Sequence, residues 1–158
     1  MATKSIIVTG GAPCDPDVLH GFARLGVPIL EGYGLTETSP VLSLNPPGAP
    51  RPGTVGVALD NVEVAIDGAD ADGVGEIKAR GPSVMSGYFN NPTATADTFQ
   101  GEWFMTGDLG FIDTDGYITI TGRKKSLIVN REGKNIYPEE VETQINKGDL
   151  ILESLVLG

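Results

Sequence analysis

Glycine and proline interrupt this sequence so often that its apolar runs stay only a few residues long. Among 158 residues stand 22 glycines and 11 prolines, more than an average domain carries but short of a disordered, low-complexity composition. They fall between the apolar runs, so they read as turns joining short strands. The expected fold class is α+β: a piece of an α/β subdomain, then a small antiparallel β-barrel, then the start of an α+β unit.

Residues 1–47 carry the α/β pattern. Ser5 to Thr9 reads as a short buried strand running into Gly10-Gly11. Asp15 is placed to cap a helix, and Pro16 suits its first turn, where a missing N–H costs nothing. Val18, Leu19, Phe22 and Leu25 line one face, and Gly26 ends the helix. Pro28-Ile-Leu30 is a second strand leading into Glu31-Gly-Tyr-Gly-Leu-Thr-Glu37. Strand, helix, strand is one turn of a parallel sheet. With no further turns of that sheet in the chain, its apolar edges would be exposed, which predicts dimerisation or strand exchange.

Residues 48–121 read differently. A proline-rich connection over 45–53 precedes four runs with strand character, Val62–Ile66, Gly75–Arg80, Leu109–Ile112 and Tyr117–Thr121. Asp67–Gly73 and Asp113–Gly116 supply turns. The first of these invites a calcium reading. It fails because Gly68 and Ala79 would stand where a calcium loop needs its first Asp and closing Glu. Residues 122–158 hold a strand at Leu127–Val129, a turn at Arg131–Gly133 and a helix from Pro138 with Glu139 and Glu140 in its first turn. The apolar stretch Leu150–Leu157 reads as a last strand, and a strand with nothing after it suggests a cut domain.

Charge narrows the functions. Net charge is -10, from 21 acidic and 11 basic side chains. Arg123-Lys124-Lys125 is the longest basic run, so a nucleic-acid partner is not expected. Cys14 is the one cysteine, excluding an internal disulfide and suiting a cytoplasmic protein. Cys14 and the single histidine, His20, read as structural. No apolar stretch approaches the roughly 20 residues that cross a bilayer, and the N-terminus does not read as a signal peptide.

Four clusters carry chemistry. Gly10-Gly11-Ala12-Pro13 follows a strand, and its small residues would let backbone approach a flat ligand or a phosphate, or simply make a tight turn. Gly32-Tyr33-Gly34-Leu35-Thr36-Glu37-Thr38-Ser39 brings an aromatic ring, hydroxyls and a carboxylate together where open α/β sheets bind ligands. Tyr33 could stack on a base, Thr36 bond a phosphate oxygen and Glu37 hold Mg²⁺; a capped helix start is the alternative. In Trp103-Phe-Met-Thr106-Gly107-Asp108, the Asp can accept both hydroxyls of a ribose. In Gly122-Arg123-Lys124-Lys125, the Arg can reach that ribose or a phosphate. Each of the last two alone also reads as a turn or a solvated charge run.

In order and spacing, these clusters resemble the adenylate-forming superfamily of acyl-CoA synthetases, firefly luciferases and peptide-synthetase adenylation domains. The resemblance extends to Gly75–Gly81, Gly87-Tyr-Phe-Asn-Asn-Pro92 and Lys134-Asn-Ile-Tyr-Pro-Glu-Glu-Val-Glu142, and is closest to long-chain fatty acyl-CoA ligases. It implies a two-step reaction. A carboxylate attacks the α-phosphate of ATP, releasing pyrophosphate and leaving an acyl-adenylate, and the thiol of coenzyme A then displaces AMP. It also implies roles. Gly11, Ala12 and Pro13 line the adenine pocket with Tyr33 and Gly34; Thr36 binds phosphate and Glu37 Mg²⁺. Asp108 takes the ribose with Arg123 beside it, Lys125 is the pivot of a small C-terminal domain, and Gly133 and Lys134 meet coenzyme A.

Two family features are missing from the chain. One is the Ser/Thr/Gly-rich phosphate loop; the other is the late Gly-Lys whose lysine contacts the reacting carboxylate. The expectation is a fragment without acyl-CoA-forming activity of its own, from an enzyme whose full length could touch membranes peripherally. An aryl-acid or amino-acid activating enzyme, and a nucleotide-binding module without chemistry, are the alternatives.

Overall fold

Two strands lie side by side at the start of the chain because a capped helix returns the backbone between them. In the computed structural model, which describes residues 6–148 and 150–158, strand β1 (Ile7–Thr9) runs parallel to β2 (Ile29–Gly34), with Ile7 opposite Ile29 and Thr9 opposite Glu31. The expected first residue of β1, Ser5, lies outside the described residues. Helix α1 (Pro16–Arg24) links them, and the Asp15 side chain accepts the Asp17 N–H at 2.8 Å. Of its expected apolar face only Leu19 is buried; Val18, Phe22 and Leu25 are exposed.

Two further strands, unforeseen from the sequence, extend this sheet. Strand β3 (Val41–Leu44) pairs antiparallel with β2, and β4 (Val57–Ala58) with β3, giving a mixed sheet in the order β1-β2-β3-β4. The proline-rich loop between β3 and β4 is irregular, so its backbone groups need side-chain partners. Buried Asn45 supplies them, accepting the Arg51 N–H at 2.9 Å and donating to the Thr54 carbonyl at 2.7 Å. Arg51 lies over the Tyr117 ring and pairs with Asp113 at 2.8 Å and Asp115 at 2.6 Å.

The antiparallel section is a five-stranded sheet. Strand β5 (Glu63–Asp67) pairs with β6 (Gly75–Arg80), and β6 with β8 (Trp103–Ile112). After helix α2 (Pro92–Thr98), the short β7 (Phe99–Gln100) and then β9 (Ile118–Arg123) pair with β8. The sequence placed a strand only from Leu109; the observed one begins at Trp103, because Thr106-Gly107-Asp108 is a bulge inside the strand and not a loop before it. The two sheets meet where Val55 N–H donates to the Ile118 carbonyl at 2.9 Å and Ile118 N–H to the Gly56 carbonyl at 2.8 Å. Tyr33, Leu42, Val62, Ile77, Ala79 and Ile118 form a buried cluster drawn from both.

Beyond β9, strands β10 (Ile128–Val129) and β11 (Asn135–Ile136) form a hairpin, and helix α3 (Pro138–Ile145) starts at the expected proline. The expected last strand is absent: residues 150–158 are irregular, with Leu150 and Leu152 fully exposed. A strand is held by its neighbours' backbone groups, and among the described residues no strand pairs with this stretch; the Val156 N–H goes instead to the Glu142 side chain at 2.7 Å. No described helix is long and apolar enough to cross a membrane.

Glu31 reports on this packing. It is buried, and its Oε2 accepts the Gly53 N–H at 3.0 Å. Burial raises its carboxyl above the ordinary value, and the Gly53 bond offsets this only in part. The folded state therefore holds the proton more tightly than the unfolded chain, and stability falls as pH rises through that interval. Glu31→Gln keeps an oxygen for Gly53 and removes the charge. Thermal unfolding should find it at least as stable as the parent at neutral pH, the difference closing near about pH 4. A variant less stable at every pH would contradict this.

Candidate functional site

Parallel strands β1 and β2 leave their carboxyl ends on the same edge, where open α/β sheets place ligands. Gly11, Ala12 and Pro13 lie exposed at that edge. Beside them β2 ends in a register shift between Tyr33 and Gly34, and residues Thr36–Thr38 form a single 3-10 turn. Thr38 secures that turn: its Oγ1 accepts the Leu35 N–H at 3.0 Å and donates to the Pro40 carbonyl at 2.6 Å. Thr36 is exposed, and Glu37 is half-buried.

The bulge in β8 aims Asp108 at the same place. Gly107 adopts φ 76°, a left-handed conformation other residues resist. Thr106 Oγ1 donates to the Ile77 carbonyl at 2.7 Å and accepts the Asp108 N–H at 3.1 Å. The Gly107 N–H goes to Glu76 Oε1 at 3.1 Å. The backbone groups lost to the ladder are thus satisfied by side chains.

Asp108 is 4% exposed. Tyr33 donates its hydroxyl to Oδ2 at 2.7 Å, and Arg123 Nε pairs with Oδ1 at 3.0 Å. Each oxygen keeps a second lone pair, so the carboxylate can still accept two hydroxyls. Burial, followed by the Asp108 charge, pushes the Tyr33 phenol far above its ordinary range, so it stays a donor. Tyr33 itself is 8% exposed, and most of its ring packs in the core cluster. Beside Arg123, Lys124 Nζ reaches Glu76 Oε2 at 2.6 Å.

Tyr88 is a site residue to which the sequence assigned no role. Its hydroxyl donates to Glu37 Oε1 at 3.0 Å; 51 residues separate the two, and no local spacing announces the contact. The structure therefore brings Tyr33, Asp108 and Arg123 into contact, and holds Glu37, on the turn that follows Tyr33, against Tyr88. Lys125 stands exposed on the 3-10 turn Lys124–Ser126. Gly133 and Lys134 sit at the β10–β11 hairpin, where Asn130 Oδ1 accepts the Glu132 and Lys134 N–H groups at 3.0 and 2.8 Å. Among the described residues no hydrogen bond or ion pair joins that hairpin to Asp108 or Glu37.

Residues 2–89 match the family model described as AMP-binding enzyme. The chain belongs to that family. Relatives of this AMP-binding family differ in the acid their names give. Over 153 residues the chain is 42% identical to a long-chain-fatty-acid–CoA ligase of Mycobacterium bovis, covering 96% of this chain and 24% of that protein. It is 36% identical to an indoleacetate–CoA ligase of Aromatoleum aromaticum, covering 100% and 32%. The o-succinylbenzoate coenzyme A synthetase of Bacillus subtilis, solved with ATP and magnesium ion, superposes with a TM-score of 0.90 at 33% identity, covering 98% and 34%. The chain thus spans about a quarter to a third of the length of these relatives.

Gly34 tests whether this arrangement depends on close approach. A Cβ there would lie 1.7 Å from the Pro40 carbonyl oxygen, and backbone cannot move aside cheaply. Gly34→Ala should therefore lower stability by about 1–3 kcal/mol, measured by urea unfolding. An unchanged midpoint would show that the turn tolerates the methyl group.

Proposed function

We propose that this chain is the adenosine-facing part of an ATP-dependent acid–CoA ligase whose acid is a fatty acid. The enzyme would join a carboxylate to the α-phosphate of ATP, releasing pyrophosphate, and then pass the acyl group to the thiol of coenzyme A as AMP leaves. The observation that carries the reading is Asp108: a buried carboxylate with both oxygens oriented and a lone pair left on each, beside the turn after β2. Such a group suits paired hydroxyls, and a ribose offers two.

The remaining roles are those the family resemblance implies. Gly11, Ala12 and Pro13, exposed after β1, line the adenine site with Tyr33 and Gly34. Thr36 offers a free hydroxyl to phosphate. Arg123 supplies positive charge where two anions must meet. Lys125 is the pivot between residues 48–121 and 122–158, and Gly133 and Lys134 contact coenzyme A. Mg²⁺ needs few protein ligands when phosphates provide the others. Glu37 fits that part: one of its oxygens is held by Tyr88, and no group of three or more His, Cys, Asp or Glu side chains forms a cation site of its own among the described residues. When bound, the ion would neutralise phosphate charge; Glu37, oriented by Tyr88, would be its protein ligand.

A fatty acid is favoured by the 42% identity to the mycobacterial ligase. The 36% identity to an indoleacetate ligase supports an aryl acid as the second reading. Assaying the product of the whole reading frame with a panel of both acid types separates them. For the nucleotide, calorimetric titration of this chain with AMP should show binding that Asp108→Ala weakens at least about tenfold, the loss expected when a hydrogen-bonded charge is removed. Glu37→Gln should leave AMP affinity unchanged and abolish the magnesium dependence of ATP binding. AMP binding indifferent to Asp108 would overturn the assignment.

A further inference from the structure

Lys124 and Glu76 have no part in the reading above, yet they form an ion contact directly beside it. Glu76 is 8% exposed, and its two oxygens do different things. Oε1 accepts the Gly107 N–H at 3.1 Å, in the middle of the bulge that presents Asp108. Oε2 takes Lys124 Nζ at 2.6 Å. Lys124 follows Arg123, which pairs with Asp108 at 3.0 Å, and Asp108 stands opposite Arg123 in the β8–β9 register. Two consecutive cations are therefore fastened to two consecutive features of one bulge.

The geometry points to Glu76 and Lys124 as a positioning pair that fixes Asp108 for the two hydroxyls of a nucleotide ribose and ties it to the segment that turns at Lys125. The inference rests on the ribose role proposed for Asp108. The Lys124 side chain is 61% exposed and that of Glu76 is 9% exposed. Removing the lysine thus costs its own burial little and leaves a buried carboxylate without its cation. Glu76 would then turn toward water, and the Gly107 N–H would lose its acceptor. Asp108, one residue on, would lose the angle at which both its oxygens face the same ligand.

The test uses this chain, AMP, and 2′,3′-dideoxy-AMP, which lacks the two hydroxyls. The unaltered chain should prefer AMP. Lys124→Met should lower that preference roughly threefold to tenfold, within the range for directly coupled residues, while affinity for the dideoxy nucleotide stays near the parent's; the unfolding midpoint should fall, because a buried carboxylate has lost its cation. Lys124→Arg should restore it. Amide hydrogen exchange at Gly107 should speed up in Lys124→Met. In Glu76→Gln, whose amide oxygen can still accept that N–H, Gly107 should stay protected although the preference for AMP falls. If the chain binds AMP and Lys124→Met leaves both the preference and Gly107 exchange unchanged, the coupling is wrong and the ribose reading survives. No preference for AMP in the unaltered chain would sink the ribose reading and this role with it.

Discussion

A carboxylate with 4% exposure must be compensated from inside the protein, and around Asp108 that requirement organises the structure. Arg123 stands opposite Asp108 within the antiparallel sheet and Tyr33 comes from the mixed one, so both carboxylate oxygens are satisfied only when the two sheets are together. Tyr33 belongs to the buried cluster that Leu42 of its own sheet shares with Val62, Ile77 and Ile118 of the other section. Apolar burial and the hydroxyl–carboxylate bond thus act through one side chain. The same residues that close the core orient the group proposed to hold ribose.

The bulge shows how a strand gives up ladder bonds without leaving them unpaired. Thr106 and Glu76 replace the missing partners, and Gly107 supplies the left-handed turn. Arg123 and Lys124 then face Asp108 and Glu76. Exposed ion pairs contribute little to stability because water screens them. Here each cation is mostly exposed and each carboxylate buried, so the contacts act mainly as constraints on where the carboxylates point. That is the form of electrostatics a binding site needs, because orientation fixed beforehand need not be recovered on binding.

Much of this was legible from residue types. Asp15-Pro16 marked the start of α1, Pro138 that of α3, and Gly75–Arg80 was read as β6 with its observed bounds. The ordered motifs pointed to the AMP-binding family, which the match over residues 2–89 bears out. Strands β3 and β4 were missed because Val41–Leu44 and Val57–Ala58 are too short to show a period. The first half of β8 was read as loop because Thr106-Gly107 looks like a turn when its side-chain partners are unseen. Leu150–Leu157 looked like a strand because composition reports apolarity and not the presence of a neighbour to pair with. The contacts of Tyr88 with Glu37 and of Glu76 with Lys124 join residues 51 and 48 apart, and only the folded chain brings them together.

The central claim is that this chain holds a nucleotide through Asp108 at the junction of its two sheets. Amide chemical-shift mapping during an AMP titration tests it most directly. The account predicts the largest shifts at Gly107, Asp108, Arg123 and Gly32–Thr36, with strand β5 unmoved. Shifts centred elsewhere, or none at saturating AMP, would contradict it.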